Sequence, residues 1–300
     1  MEKLDPEVII SDEKGKEQLA AVGNGLENKV MGPEALTTAT GTELSEEQYS
    51  RLEQIQGQWK ETDVLYGIFT SGSTGTPKAI VVSHGAASRF IRHFTEIFEI
   101  TSADVIGNQA PFDFDVSVKD IYSSIMTGAQ LVLIPKEYFS TPPRLLDYLC
   151  DKKVTNLTWA VSALTLVSAL KGLNYRVPES VKRVMFSGEA MPPKQLRIWQ
   201  EKLPEAKFVN LYGPTEITCN CTYFPIERQY EDSEKIPAGK AFPGRRVILV
   251  DEEGKQVTEP GVQGGNLLGR RISGEWLLSK EPEQTAEKFV LYRRWNRTEE

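Results

Sequence analysis

DVIGNQ (104–109), VKDIYSSIMTG (118–128) and LVLI (131–134) follow one another within a single stretch of the chain. The first and last read as strands. The middle segment reads as a helix that stops on Gly128, a residue suited to a helix C-terminus. Strand, helix, strand in that order is a crossover unit, and crossovers join parallel strands. Outward toward the C-terminus the alternation continues. PRLLDYLCDK (143–152) reads as a helix, TNLTWA (155–160) as a strand, and about 162–170 as a helix. KRVMFS (182–187) follows as a strand, 192–202 as a helix, and KFVNLY (207–212) as a strand. In the other direction, HGAASRFIRHFTEIF (84–98) sets Phe90, Phe94, Ile97 and Phe98 at helical spacing. Before it, VLYGIF (64–69) is a continuous apolar run and Ala79 to Val82 is strand-like. The expected class is α/β, a mainly parallel sheet covered by helices.

Beyond Phe224 the texture changes. RVILVDEEGKQV (246–257) reads as two short strands around a Glu-Gly turn. The expected division is a partial α/β large domain over 1–225 and a small β-rich subdomain with an irregular tail over 226–300. At the other end, residues 1–62 are polar and uneven. Val8-Ile9-Ile10 reads as a short strand, and Gly23 to Gly41 as a linker or loop. Ser45-Glu46-Glu47-Gln48 has the form of a capping box opening a helix to about Trp59.

Composition narrows the function. The 300 residues include 35 Lys+Arg against 42 Asp+Glu, a net charge of −7. A mildly acidic chain lacks the basic footprint of a nucleic-acid binder. No stretch approaches the ~18 apolar residues of a membrane span, and MEKLDPEVII has no basic region leading into an apolar core. Cys150, Cys219 and Cys221 are an odd, sparse set that suits a reducing cytoplasm and gives no disulfide framework. Only His84 and His93 are present, so a His-rich metal site is not expected. Cys219-Asn220-Cys221 alternates as a strand does, and these cysteines are expected to pack rather than to bind metal.

The sharpest motif is Thr70-Ser71-Gly72-Ser73-Thr74-Gly75-Thr76-Pro77-Lys78, which follows the apolar run 64–69, expected as a buried strand. Glycines let successive N–H groups converge on an anion, hydroxyls add neutral donors, and Lys78 adds a point charge. Together they suit a polyphosphate. The loop is neither a Walker A motif nor a dinucleotide fingerprint, because Pro77 precedes the lysine and a strand follows it.

YGIFTSGSTGTPKAIVVSH (66–84) resembles the phosphate-loop signature of the AMP-forming adenylating enzymes, which include acyl-CoA synthetases, luciferases and non-ribosomal peptide synthetase adenylation domains. FSGEA (186–190) and NLYGPTE (210–216) resemble two further blocks of that family in the right order, and EPEQTAEKF (281–289) resembles a later one. The resemblance implies ATP and Mg²⁺ as cofactors. Thr70, Ser71, Gly72, Ser73, Thr74 and Gly75 would then hold phosphates, with Lys78, Thr215 and Glu216 as the catalytic set. Glu216 would carry the metal, a hard cation that takes carboxylate and phosphate oxygens. Gly188, Glu189, Ala190, Asn210, Leu211, Tyr212 and Gly213 would surround the adenosine.

FDFDVSVKDIY (112–122) is the clue to the substrate. Asp115 sits among Phe112, Phe114, Val116 and Val118, and a carboxylate in apolar company needs a cation. Members that activate amino acids carry an aspartate here for the α-ammonium, and the block particularly resembles D-alanine–carrier-protein ligases. Two alternatives stand beside this: Asp115 caps the helix starting near Ser117, or Asp113 takes either role. By the same resemblance Val116, Lys119, Thr158, Met185, Ser187, Leu211 and Cys219 would line the side-chain pocket. Lys119 is a departure, since an apolar residue is usual there. Facing the pocket, it favours an acidic or polar substrate group. A lysine is rarely buried unpaired, so it is expected on the solvent face instead.

The implied reaction is activation of an amino acid as aminoacyl-adenylate with release of pyrophosphate. The acyl group then passes to the phosphopantetheine thiol of a partner carrier protein. The alternatives are an acyl- or aryl-CoA synthetase and a non-catalytic remnant. The family's Thr-Gly-Asp block and C-terminal lid domain are not found, and GGNLLGRRISGEWLLSK (264–280) breaks the pattern before it resumes, as a local frameshift would. A poorly active fragment is therefore expected.

Overall fold

The structure is a computed structural model that describes residues 6–23, 25–35, 43–70, 78–251, 255–257 and 265–270. The chain divides into two compact units, with the boundary between Asp63 and Val64. In the first, β1 (Ile9–Ile10) pairs in parallel with β2 (Val30–Met31), a strand inside the stretch read as a loop. Between them, α1 spans Glu13–Ala20. Helix α2 (Glu46–Gln58) opens on the expected capping box: Ser45 Oγ accepts from Gln48 N–H, and the Gln48 side chain accepts from Ser45 N–H.

The second unit begins with an antiparallel hairpin, β3 (Val64–Thr70) and β4 (Lys78–Ser83), in which Thr70 faces Lys78. Then follow α3 (His84–Ile97), β5 (Val105–Asn108), α4 (Val116–Thr127) and β6 (Gln130–Leu133). Helix α4 ends on Gly128 in the left-handed conformation, as its sequence predicts. Next come α5 (Pro142–Asp151), β7 (Asn156–Ala160), α6 (Val161–Ala169), α7 (Gly172–Tyr175), β8 (Arg183–Ser187), α8 (Pro193–Lys202) and β9 (Lys207–Tyr212). Strands β10 (Thr222–Ile226) and β11 (Lys240–Ala241) complete a seven-stranded sheet in the order β11-β10-β9-β8-β7-β5-β6. From β6 to β9 every pairing is parallel, and β10 and β11 are antiparallel. The alternation read from the sequence is thus the observed architecture. Strands β12 (Arg245–Val250), β13 (Gln256–Val257) and β14 (Gly265–Arg270) form a separate antiparallel sheet, with β12 and β13 as the expected hairpin.

Right-handed crossovers decide which helix covers which face. The β5-to-β6 step runs one way along the sheet and the steps from β6 to β9 run the other. Leu145, Leu146 and Leu149 of α5, Leu164 and Val167 of α6, and Leu196 and Trp199 of α8 therefore pack on one face with Leu157, Trp159, Val184, Phe186 and Phe208. Phe90, Ile91 and Phe94 of α3 and Val118 of α4 pack on the other with Ile106, Met185, Val209 and Leu211. Alternate residues of β7 to β9 serve the two cores, which is why these strands read as continuous apolar runs. Among the described residues no helix is long and apolar enough to cross a membrane.

Candidate active site

Strand order reverses between β5 and β7, so a crevice opens at their carboxyl ends, where ligands of open α/β sheets bind. Ala160 N–H donates to Gln109 Oε1 across it at 3.1 Å. Helix α4 starts beside this crevice. Asp115 occupies its N-cap position, but its backbone is already helical and its side chain makes no capping bond. The capping alternative is thereby set aside. Its carboxylate meets the turn after β9 instead: Thr215 hydrogen-bonds to it, Glu216 stands near it, and Cys219 Sγ donates to the Asp115 carbonyl at 3.2 Å. Asp115 Oδ2 is buried with no hydrogen-bond partner. Burial pushes this carboxyl above the usual range, with the Lys119 ammonium and Thr215 pulling it down and Glu216 pushing it further up. The rival Asp113 is exposed, as are Phe112 and Phe114, so the turn rather than the flanking phenylalanines buries Asp115.

Lys119 corrects an expectation. It lies one turn beyond Asp115, is 0% exposed, and donates from Nζ to Asn220 Oδ1 at 2.6 Å. The next residue, Asp120, is buried too. It accepts from Asn108 Nδ2 at 3.0 Å and from Thr158, and burial lifts its pKa to about 7. Asn108, Asp120 and Asn220 did not stand out in the sequence. An isolated acid or amide in a helix or strand pattern carries no signal of burial.

The turn from β9 to β10 is tight and strained. Thr218 and Cys219 have φ of 65° and 63°, a left-handed backbone that non-glycine residues rarely adopt. Strand β10 starts only at Thr222, so Cys219-Asn220-Cys221 is turn rather than strand. A Cβ at Gly213 would lie 2.5 Å from Asn220 Cα and 2.6 Å from Cys221 N, so only glycine fits. Burial pushes the Cys219 thiol up to about 12 and that of Cys221 to about 11, and both stay neutral. Arg245 on β12 donates to the carbonyls of Ile217 and Thr218.

The other predicted residues divide by sheet face. Thr158, Met185, Ser187 and Leu211 are buried on the α3–α4 side, the side of Asp115, Lys119 and Cys219, and Val116 is half-buried at the head of α4. Asn210 and Tyr212 alternate to the opposite side. Tyr212 is 41% exposed, and Asn210 Nδ2 donates to Pro237 O at 2.9 Å. After β8, Gly188 takes φ of 95° under open space, with Glu189 and Ala190 exposed beside it. Thr215 and Glu216 are half-buried. Ser71, Gly72, Ser73, Thr74 and Gly75 lie outside the described residues. The hairpin that carries them is nevertheless near: β4 packs against the Thr215–Ile217 turn, and Tyr66 of β3 neighbours the Cys219 thiol.

A family model described as AMP-binding enzyme matches residues 1–277. The chain belongs to the AMP-binding enzyme family. Bacitracin synthase 1 of Bacillus licheniformis is 32% identical over 82% of this chain and 4% of that protein. A D-alanine–D-alanyl carrier protein ligase of Bacillus velezensis is 30% identical over 94% of this chain and 55% of its own length. The non-ribosomal peptide synthetase FmoA3, in its alpha-methyl-L-serine-AMP bound form, matches with a TM-score of 0.70 at 26% identity. That match covers 77% of this chain and 26% of the other. The chain thus spans about half the length of the ligase and a small part of the synthetase. The fold of this AMP-binding chain is the α/β fold those family members share.

Proposed function

We propose that this protein activates an amino acid with ATP, forming an aminoacyl-adenylate and pyrophosphate, for transfer to the phosphopantetheine thiol of a carrier protein. The observation that carries the reading is Asp115, a half-buried carboxylate whose buried Oδ2 has no hydrogen-bond partner, beside Thr215 and Glu216. A buried anion left without a partner is costly, and a substrate α-ammonium supplies one. The adenylate in the FmoA3 relative is an amino-acid adenylate, which agrees with this class.

Each remaining group has a task in this reading. The hydroxyls and N–H groups of 70–75 and Lys78 hold the phosphates. Tyr212 offers an exposed ring to the base, Gly188 leaves room above its backbone, and Asn210 keeps its Oδ1 for the adenine edge. The Thr215 hydroxyl leaves Asp115, which then has the substrate ammonium as its partner, and donates to the α-phosphate. Glu216, half-buried at the same turn, fits Mg²⁺, which supplies positive charge where two anions must meet. Catalysis rests on positioning and electrostatics, because the substrate carboxylate is itself the nucleophile.

The test is calorimetric titration of the full chain with non-hydrolysable aminoacyl sulfamoyl adenosines, alongside ATP–pyrophosphate exchange. Binding that falls at least tenfold in Asp115→Ala supports the reading. Equal binding of an acyl analogue without the α-amine, untouched by Asp115→Ala, moves the protein to the acyl-CoA synthetase class.

A further inference from the structure

A second concavity lies on the α3–α4 face of the sheet, at the amino ends of the parallel strands and away from the crevice. It measures about 430 Å³, within the ~300–1,000 Å³ of small-molecule sites. Its floor is apolar: Phe98 after α3, Met185 of β8, Val209 of β9 and Tyr223 of β10. Arg183, the first residue of β8, lines it and is largely buried. The guanidinium is only partly used. Nη1 donates to Asp104 at 3.0 Å and to Asn156 Oδ1 at 2.9 Å, and Nη2 to the Glu99 carbonyl at 2.8 Å. Nε is buried with no hydrogen-bond partner. A buried donor left unpaired is costly, and an acceptor in the cavity recovers that cost. Lys207, the first residue of β9, also lines the cavity. It is 70% exposed and pairs with Glu99 at 2.8 Å, an open ion pair of the kind that is worth little. The one acid among the lining residues, Glu227, is exposed just past the end of β10.

We propose that this cavity binds a small apolar monocarboxylate. The hydrocarbon body rests on Phe98, Met185, Val209 and Tyr223, where burial of its surface drives binding. The carboxylate accepts from Arg183 Nε and from Lys207 Nζ, which keeps donors to spare beyond Glu99. An anion is favoured over a neutral acceptor because both donors are cationic, and charge-assisted bonds are about twice as strong as neutral ones. A dianion is disfavoured, since Asp104 and Glu99 already offset the two cations and the floor is apolar. The cavity is a site of its own. Met185, 0% exposed, sits on β8 between Arg183 and the crevice residue Ser187.

The experiment titrates the full chain calorimetrically with phenylbutyrate and octanoate, and with their primary amides and acetate as controls. At least one of the two acids is expected to bind at least about tenfold tighter than its own amide and than acetate. Lys207→Glu is expected to erase the preference for the acid. Ala206→Phe, which adds a ring to the cavity lining, is expected to weaken acid and amide together. Both acids binding more weakly than about 1 mM overturn the inference. So do amides that bind as tightly as the acids, or an acid preference that survives Lys207→Glu. Acid that is displaced by an aminoacyl sulfamoyl adenosine sits in the crevice, and that too overturns the inference while leaving the proposed function standing. Lys207 is exposed, so Lys207→Glu decides alone should Ala206→Phe not fold.

Discussion

Arg245 donates through Nη2 to the carbonyl of Thr218 at 3.2 Å, and through Nη1 to that of Ile217. Its guanidinium also lies 5.2 Å from the centre of the Phe90 ring. Burial lowers its pKa to about 10, which leaves it charged at neutral pH. A residue of the small antiparallel sheet thus supports the strained pair Thr218 and Cys219, and through them the position of Thr215 and Glu216 against Asp115.

Removing that support leaves two carbonyls without their donors and releases the left-handed backbone. Arg245→Met is expected to destabilise the second unit by about 2–4 kcal/mol. Arg245→Lys, a single point donor, should fall between. Urea denaturation measures both. A methionine variant as stable as the parent would show that the turn holds itself.

Asp120 predicts a pH dependence. Burial raises its folded pKa to about 7, above the ordinary aspartate value of about 3.9. Between those values the folded state holds a proton that the unfolded state has lost, so stability falls as pH rises through this window. The slope is at most about 1.4 kcal/mol per pH unit for one proton. Asp120→Asn keeps a hydrogen-bonding oxygen for Asn108 and cannot ionise. Its stability should decline less from pH 4 to 7 than that of the parent, as followed by thermal unfolding across pH. Parallel curves would remove Asp120 from the account.

Gly213 is fixed by contact rather than by φ. Gly213→Ala puts a methyl group 2.5 Å from Asn220 Cα and 2.8 Å from Cys219 O, both backbone. Neither can swing away, so the turn must open. The expected cost is about 2–3 kcal/mol, together with weaker binding of any aminoacyl sulfamoyl adenosine. Unchanged stability and unchanged binding would mean that the turn has slack.

At the opposite end of the parallel strands, Arg183 bonds Asp104 at 3.0 Å and Asn156 Oδ1 at 2.9 Å, with both charged side chains largely buried. Burial alone would raise the Asp104 carboxyl. Hydrogen bonds from Thr101 and Thr155, with Arg183, hold it below its usual range instead. Such a depressed acid stabilises the fold above its unfolded pKa, and that contribution is lost as pH falls through the folded value. Arg183→Met should cost about 3 kcal/mol at pH 7, and less in acid, where Asp104 is protonated. Equal loss at pH 7 and pH 3 would argue against the pair.

Much of this was legible beforehand. The crossovers, the Gly128 stop, the Ser45–Gln48 capping box and the hairpin near 246–257 all rest on local patterns a few residues long. The aspartate at the head of α4 could be singled out because a charge among apolar neighbours is conspicuous. Yet those neighbours, Phe112 and Phe114, turn out to be exposed, and a turn about a hundred residues later buries it. The burial of Lys119 is hidden from the sequence for the same reason. Nothing within one helix tells whether a lysine at i+4 meets water or a distant loop.

By itself, then, the sequence determined the class of elements and their alternation, because helix and strand periods, caps and turns are decided by residues close in the chain. The Asp115–Thr215 contact, the burial of Lys119 and Asp120, and the Arg245 clamp were decided only by tertiary structure. They join residues from 12 to 101 positions apart, and the dielectric around a charge is set by whatever the fold brings to it, not by its neighbours in sequence.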